Sequence, residues 1–144
     1  MNNPQLDPYL FFDGNCAEAM RFYQRTLGGK LQGMMRYGDS PEPDQCPAGS
    51  EDRIMHAAID LNGQLLMASD CPQGQPYEGM RNVSLSLFYQ SVDEARRAFD
   101  ALADGGKVVM PLAQTFWADI FGMLTDRYGT SWMLSGGMKE MKQA

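Results

Sequence analysis

The chain has 144 residues, 44% of them hydrophobic and 21% charged, a balance that fits a folded globular protein large enough to bury a core without metal or disulfides. Its formal net charge of -6, with no run of Lys or Arg, excludes a nucleic-acid backbone and an anionic membrane surface as partners. The residues Met1 to Asp7 show no basic segment leading into an apolar one, and nowhere is there an apolar stretch of the ~18 residues a membrane span requires, so the expected location is the cytoplasm. Cys16, Cys46 and Cys71 are odd in number and share no CxxC spacing, which speaks against a disulfide framework or a zinc knuckle. A bridge between Cys46 and Cys71, both in loop-like stretches, stays open.

In chain order, Pro8-Tyr9-Leu10-Phe11-Phe12 reads as a short strand, and Asn15-Cys16-Ala17-Glu18 reads as a capping box opening a helix. Cys16, Ala19, Met20, Tyr23 and Leu27 share one face of that helix, and Gly28-Gly29 supplies its end. Strands follow at about 30–37, 54–61 and 64–69, the last two joined by Asn62-Gly63, a strong two-residue hairpin signal. Between the first two of these, residues 38–52 are rich in Gly, Pro and acidic side chains; a loop of this length reads either as a lid or as a solvated excursion.

The same order then returns. Val83 to Tyr89 alternates as a half-buried strand, Ser91-Val92-Asp93-Glu94 is a second capping box, and Val92, Ala95, Phe99 and Leu102 form the helix's apolar face before Gly105-Gly106. Strands at about 107–110, 119–125 and 130–135 complete it, with Asp126-Arg127-Tyr128-Gly129 as the final turn. The fold class is therefore α+β, with one βαβββ module at about 8–70 and its repeat at about 83–135 within one domain spanning 1–144. Each module leaves one sheet face bare, and pairing two of them would bury those faces or enclose a ligand cleft.

Several of these stretches together carry a resemblance. The run Phe12-Asp13-Gly14-Asn15-Cys16-Ala17-Glu18-Ala19-Met20-Arg21-Phe22-Tyr23, closing in Leu27-Gly28-Gly29, resembles the opening module of the vicinal oxygen chelate superfamily, which includes glyoxalase, bleomycin resistance and extradiol dioxygenase proteins. Met55-His56-Ala57, Leu66 to Asp70, Gln114 to Asp119, Phe121-Gly122, Thr125-Asp126 and Gly129-Thr130-Ser131-Trp132 are similar to its PhnB-like branch. The resemblance implies a glyoxalase-like paired mixed-sheet architecture and a homodimer, C2 dimers being the commonest oligomers. Members of that branch often carry a demethylubiquinone methyltransferase label, but no strand runs here into a Gly-rich turn and helix of the kind a typical S-adenosylmethionine enzyme uses.

The resemblance also implies metal ligands, mostly His and Glu, from the first and last strands of both modules. This sequence supplies Pro8 or Tyr9, Asp70, Ser84 or Ser86, and about Met133 at those places, a poor donor set for a cation. With one histidine in the chain, a two-His site would need a second copy. No metal and no cofactor is therefore expected.

His56 lies on a strand: facing the bare side it could act as a general base or donor, facing a neighbouring strand it is a satisfied polar residue. Gln114, Phe116 and Trp117 suit an apolar pocket with an orienting amide, although Trp117 could equally plug the core; Trp132 is expected to pack in the sheet. The 12 methionines, among them Met34, Met35, Met55, Met67, Met123 and Met133, could line a permissive pocket but more commonly fill irregular cores. The leading reading is metal-independent binding of a small, partly apolar molecule by His56, Ser69, Asp70, Gln114, Phe116 and Trp117. The alternatives are a metal-dependent lyase, isomerase or dioxygenase with an atypical or cross-subunit site, and a pure interaction protein.

Overall fold

The structure, a computed structural model, describes residues 3–42, 44 and 46–138. The chain divides into two compact units, Met1–Gly79 and Met80–Ala144.

The first unit runs β1 (Tyr9–Phe12), α1 (Cys16–Leu27), β2 (Lys30–Arg36), a 3-10 turn at Tyr37–Asp39, β3 (Ile54–Leu61) and β4 (Gln64–Asp70). Its four strands form one sheet in the order β1-β4-β3-β2, with β1 and β4 parallel and the other pairs antiparallel. The second unit repeats this with β5 (Leu85–Tyr89), α2 (Val92–Ala103), β6 (Lys107–Ala113), β7 (Ala118–Thr125) and β8 (Ser131–Met138), in the order β5-β8-β7-β6. Two four-stranded mixed sheets, each with one helix, make this an α+β protein of two equivalent modules. No helix among the described residues is long and apolar enough to cross a membrane.

Each helix packs on one face of its own sheet. Cys16, Ala19, Met20, Phe22 and Tyr23 of α1 are buried against Leu10, Phe12, Ala57, Ile59, Leu66 and Ala68, the alternate residues of β1, β3 and β4. Ala95, Ala98, Phe99 and Leu102 of α2 meet the corresponding core of Ile120, Leu124, Trp132 and Leu134. The helix faces differ from the expected ones at their ends: Leu27 and Val92 are only half-buried, and Phe22 and Ala98 take part instead.

The glycine pairs are needed for two separate reasons. Gly28 and Gly105 take positive φ at 78° in each case, a backbone conformation that residues with a Cβ rarely adopt. The second glycine of each pair lies against the backbone of the third strand of its own module, so that a Cβ on Gly29 would press on the Asp60 carbonyl and one on Gly106 on that of Thr125. The Asn62-Gly63 hairpin has both residues at positive φ, 56° and 91°, as a type I′ turn requires.

Three boundaries differ from expectation by two residues or more, β5 beginning at Leu85 rather than Val83. β6 continues through Pro111 to Ala113, because it is an edge strand with register shifts between Val108 and Met110 and again before Ala113, so the missing proline N–H breaks no ladder. β8 runs on to Met138 rather than ending near 135. In the 38–52 segment, of which residues 43 and 45 lie outside the described residues, the base is fastened down. Tyr37 and Gly38 donate N–H bonds to the carbonyls of Arg53 and Glu51 at 2.9 Å each, and the buried Ser50 hydroxyl accepts from Gln73 N–H.

The β7–β8 turn is built on a buried carboxylate. Asp126, 3% exposed, accepts from the backbone N–H groups of Tyr128 (2.8 Å) and Thr130 (3.1 Å) with Oδ1 and from the indole Nε1–H of Trp132 (2.8 Å) with Oδ2. Trp132 thereby fills the core of its sheet with its one polar atom satisfied. Replacing Asp126 with Ala leaves these buried donors without that acceptor, and the variant should lose at least about 2 kcal/mol of stability in a urea titration, while Arg127→Ala on the same turn should lose far less.

Candidate functional site

The face of the first unit's sheet that lies away from α1 is set by strand alternation. Leu10 and Phe12 turn toward the helix, so Tyr9 and Phe11 turn the other way, 39% and 58% exposed. The parallel register places Tyr9 beside Met67 and Phe11 beside Ser69. On β3, Ala57 and Ile59 are in the core and His56 points to the same open face as Tyr9, next to the partly exposed Met35 of β2.

There His56 has a specific partner. Its Nδ1 is 3.1 Å from the Tyr9 hydroxyl, and the two rings lie 5.7 Å apart at 37°. Phe11 extends the group, its ring 5.2 Å from that of Tyr9. Of the two orientations open to His56 from sequence, it takes the one facing the bare side. The pairing with Tyr9 joins residues 47 apart, and no local sequence signal marks it; the alternation in β1 shows only that Tyr9 and Phe11 share a face.

Ser69 lies on this face, largely buried opposite Phe11, whereas its neighbour Asp70 points to the helix side. Asp70 is 1% exposed, and its carboxylate is committed to three backbone amides: Oδ1 accepts from Gly14 (2.8 Å) and Cys16 (3.0 Å), Oδ2 from Ile54 (2.9 Å). This corrects the expected capping of α1. Asn15 makes no side-chain cap bond, and Asp70, arriving from β4, satisfies the helix's first orphan N–H instead; in α2 the Ser91 side chain does accept from Glu94 N–H as its capping box requires.

Around Asp70, the Tyr37 hydroxyl donates to its carbonyl at 3.1 Å, and burial, then neighbouring Tyr9, Cys71 and Asp70, hold the Tyr37 phenol above its usual range. Burial first, and the Asp70 charge second, push the Cys16 thiol up to about 12.

In the second unit, Gln114, Phe116 and Trp117 sit in the turn between β6 and β7. The turn closes on itself through Thr115 N–H to the Ala118 carbonyl and Ala118 N–H to Thr115 Oγ1, both 3.1 Å, which throws Phe116 outward to 78% exposure. Trp117 is only half-buried and links two rings edge-on: Phe116 at 4.8 Å and Phe121 at 5.2 Å. The same-face partners repeat those of the first unit, with Ser86 beside Met133 and Phe88 beside Ser135.

The positions that the resemblance assigns to metal ligands therefore carry a phenol, an alcohol, a thioether and an already committed carboxylate, a donor set that does not fit a divalent cation. Among the described residues, no three His, Cys, Asp or Glu side chains are grouped so as to hold one.

The repeated module and the chemistry of these two faces define a small glyoxalase-like protein. Residues 5–134 match the family model for the Glyoxalase/Bleomycin resistance protein/Dioxygenase superfamily, and the chain belongs to that superfamily. It is 41% identical to Protein YjdN of Escherichia coli (strain K12) over 140 residues, covering 90% of this chain and 93% of that one. Among solved structures it is similar to protein PA1353 from Pseudomonas aeruginosa (50% identity, TM-score 0.86, 93% and 98% of the two chains). It also resembles a PhnB protein from Bacillus cereus whose name carries a 3-demethylubiquinone-9 3-methyltransferase label (30% identity, TM-score 0.77, 92% and 99%).

Three outcomes follow from the interior. Asp70→Asn turns an amide N–H₂ on at least one backbone donor and should cost about 1–3 kcal/mol in a denaturant titration. Cys16 should resist iodoacetamide in the native protein at pH 8 while the partly exposed Cys46 and Cys71 react, giving two adducts by intact mass, and three after denaturation. Because the folded state holds the Cys16 proton more tightly than the unfolded chain does, this thiol lowers stability progressively as pH rises above 9.0 toward about 12.

Proposed function

We propose that the protein is a metal-independent binder of a small, partly apolar molecule and works as a homodimer. The observation that carries this reading is the open sheet face of the first unit, where the hydrogen-bonded His56 and Tyr9 stand beside exposed Phe11 and largely buried Ser69. Aromatic area with a few orienting polar atoms is what such ligands select. Gln114, Phe116 and Trp117 add a second surface of the same chemistry. Asp70 serves by holding the strand end that carries Ser69, its carboxylate being engaged by amides.

The poor donor set at the ligand positions supports metal independence. Methyl transfer is not proposed: among the described residues both sheets are mixed, and no Gly-rich turn joins a strand to a helix in a parallel doubly wound sheet.

Native mass spectrometry of the gently purified assembly tests the reading, because it reports subunit count, metal and retained ligand together. A dimer with an organic adduct and no metal is the expected result; one divalent ion per subunit would overturn it. Phe116→Ala and Trp117→Ala should both weaken retention of that adduct. Phe116→Ala should leave stability within about 0.5 kcal/mol, since the ring is almost wholly exposed, so its effect on retention reports the surface and not the fold.

A further inference from the structure

We infer that the open face of the second unit takes a small organic cation, an alkylated ammonium, at the carboxylate of Asp119 and the rings of Trp117 and Phe116. The inference rests on the binding reading above and names the charge of the molecule that this face selects.

Strand alternation puts Asp119 on that face. Ala118 and Ile120 are buried, and a Cβ on Gly122 would press on the Phe99 ring of α2, so these residues of β7 turn to the helix. Asp119 and Phe121 turn the other way. Trp117 joins them, since its ring lies 5.2 Å from that of Phe121 and at 69° to it. The two rings belong to residues two positions before and two positions after Asp119, so their contact brackets the Asp119 position. The carboxylate itself leans sideways onto β8, where it fills the place that a side chain on Gly137 would occupy. Gly137 has no Cβ and a positive φ of 65°, and this is the room that lets an acidic side chain lie beside the aromatic pair. Phe116 meets Trp117 edge-on at 4.8 Å and is 78% exposed, which leaves at least one face of its ring open.

Asp119 is exposed and, among the described residues, makes no hydrogen bond and no ion pair. The described cations of the second unit are all placed elsewhere. Arg127 is held by Asp104 at 3.1 Å, and Arg96 and Arg97 are on α2, on the opposite side of the sheet. Lys107 stands in register with Thr125, six residues along β7 from Asp119 and so on the order of 20 Å away. Arg81 follows Met80, whose sulfur lies 3.3 Å from the Ser131 nitrogen, at the far end of β8 from Gly137. The carboxylate is therefore open to a cation brought by the ligand. A divalent metal is a poor match, because such an ion needs several donors at once and this face offers one carboxylate. An alkylated ammonium matches it on both counts: its charge is attracted to the faces of aromatic rings and to the carboxylate, and its carbon substituents suit the rings.

The probes are choline and 3,3-dimethylbutan-1-ol, which have the same shape and differ in carrying a charged nitrogen or a neutral carbon at the branch point. The chain has two tryptophans, so a ¹H–¹⁵N spectrum carries two indole signals; that of Trp132, buried and donated to Asp126, is the internal control. Choline should move the Trp117 signal and not that of Trp132, and bind about five- to thirtyfold more tightly than the alcohol, the ratio expected for an exposed ion pair together with a cation–π contact. In Asp119→Asn, with folding checked by its amide spectrum, choline should lose about three- to tenfold in affinity while the alcohol is unchanged. Asp100→Asn, at an exposed position of α2, makes the same change in net charge and should leave both probes as they were. Equal binding of the two probes, an undiminished choline preference in Asp119→Asn, or an equal loss in Asp100→Asn would overturn this inference; movement of the Trp117 signal would then leave the binding face itself intact. If neither probe moves the Trp117 signal, the reading of this second surface as a binding face falls with it.

Discussion

A carboxylate taken out of water loses several kcal/mol of hydration unless the protein replaces that hydration with well-aimed donors, and among the described residues each unit holds one such group. Asp70 and Asp126 are both almost completely buried, and each accepts three N–H hydrogen bonds of 2.8–3.1 Å. Hydrogen bonds to a charge are shorter and stronger than neutral ones, so the groups that donate them are fixed in place. Around Asp70 these are the turn into α1, the first residue of that helix and the first residue of β3; around Asp126 they are the last hairpin and the indole at the centre of the second core. The open faces derive their geometry from this arrangement. Ser69 is held by the residue after it, and His56 sits two residues beyond Ile54, whose amide Asp70 anchors.

Much of the fold could be read in the sequence because its determinants are local. The period of the strands, the glycines at the helix ends, the Ser91 cap and the Asn62-Gly63 hairpin are set by neighbours a few residues away, and the repeat allowed each to be read twice. Departures came where a distant residue took over a local task. Asn15 stands in the right place to cap α1, but Asp70, more than fifty residues on, brings a full charge to the same amides. Pro111 looks like the end of a strand until the position of β6 at the sheet edge is known.

The candidate site was legible to a lesser degree for the same reason. Residue type alone picked out His56, Gln114, Phe116 and Trp117, and alternation gave their strands and turns. Whether His56 turned toward or away from the helix depended on the β3–β4 register, and its phenolic partner on the parallel pairing of β1 with β4. Tyr9 entered the sequence reading as a poor substitute for a metal-binding histidine. In the folded unit it is the hydrogen-bond partner of the one imidazole present.

The parallel pairing has a bearing on synthesis. In each unit the first strand and the last are neighbours, Tyr9 with Met67 and Leu85 with Trp132, so that the earliest residues made are completed by the latest. While the chain emerges from the ribosome, the sheet under α1 lacks its closing strand β4, and the helix lacks the carboxylate that finishes its first turn; neither is complete before residue 70 has cleared the exit tunnel. From that point every residue of the first sheet is outside, and this sheet can close while the second unit is still being translated. The nascent chain thus passes through one interval of exposure per module, each ended by the arrival of a closing strand.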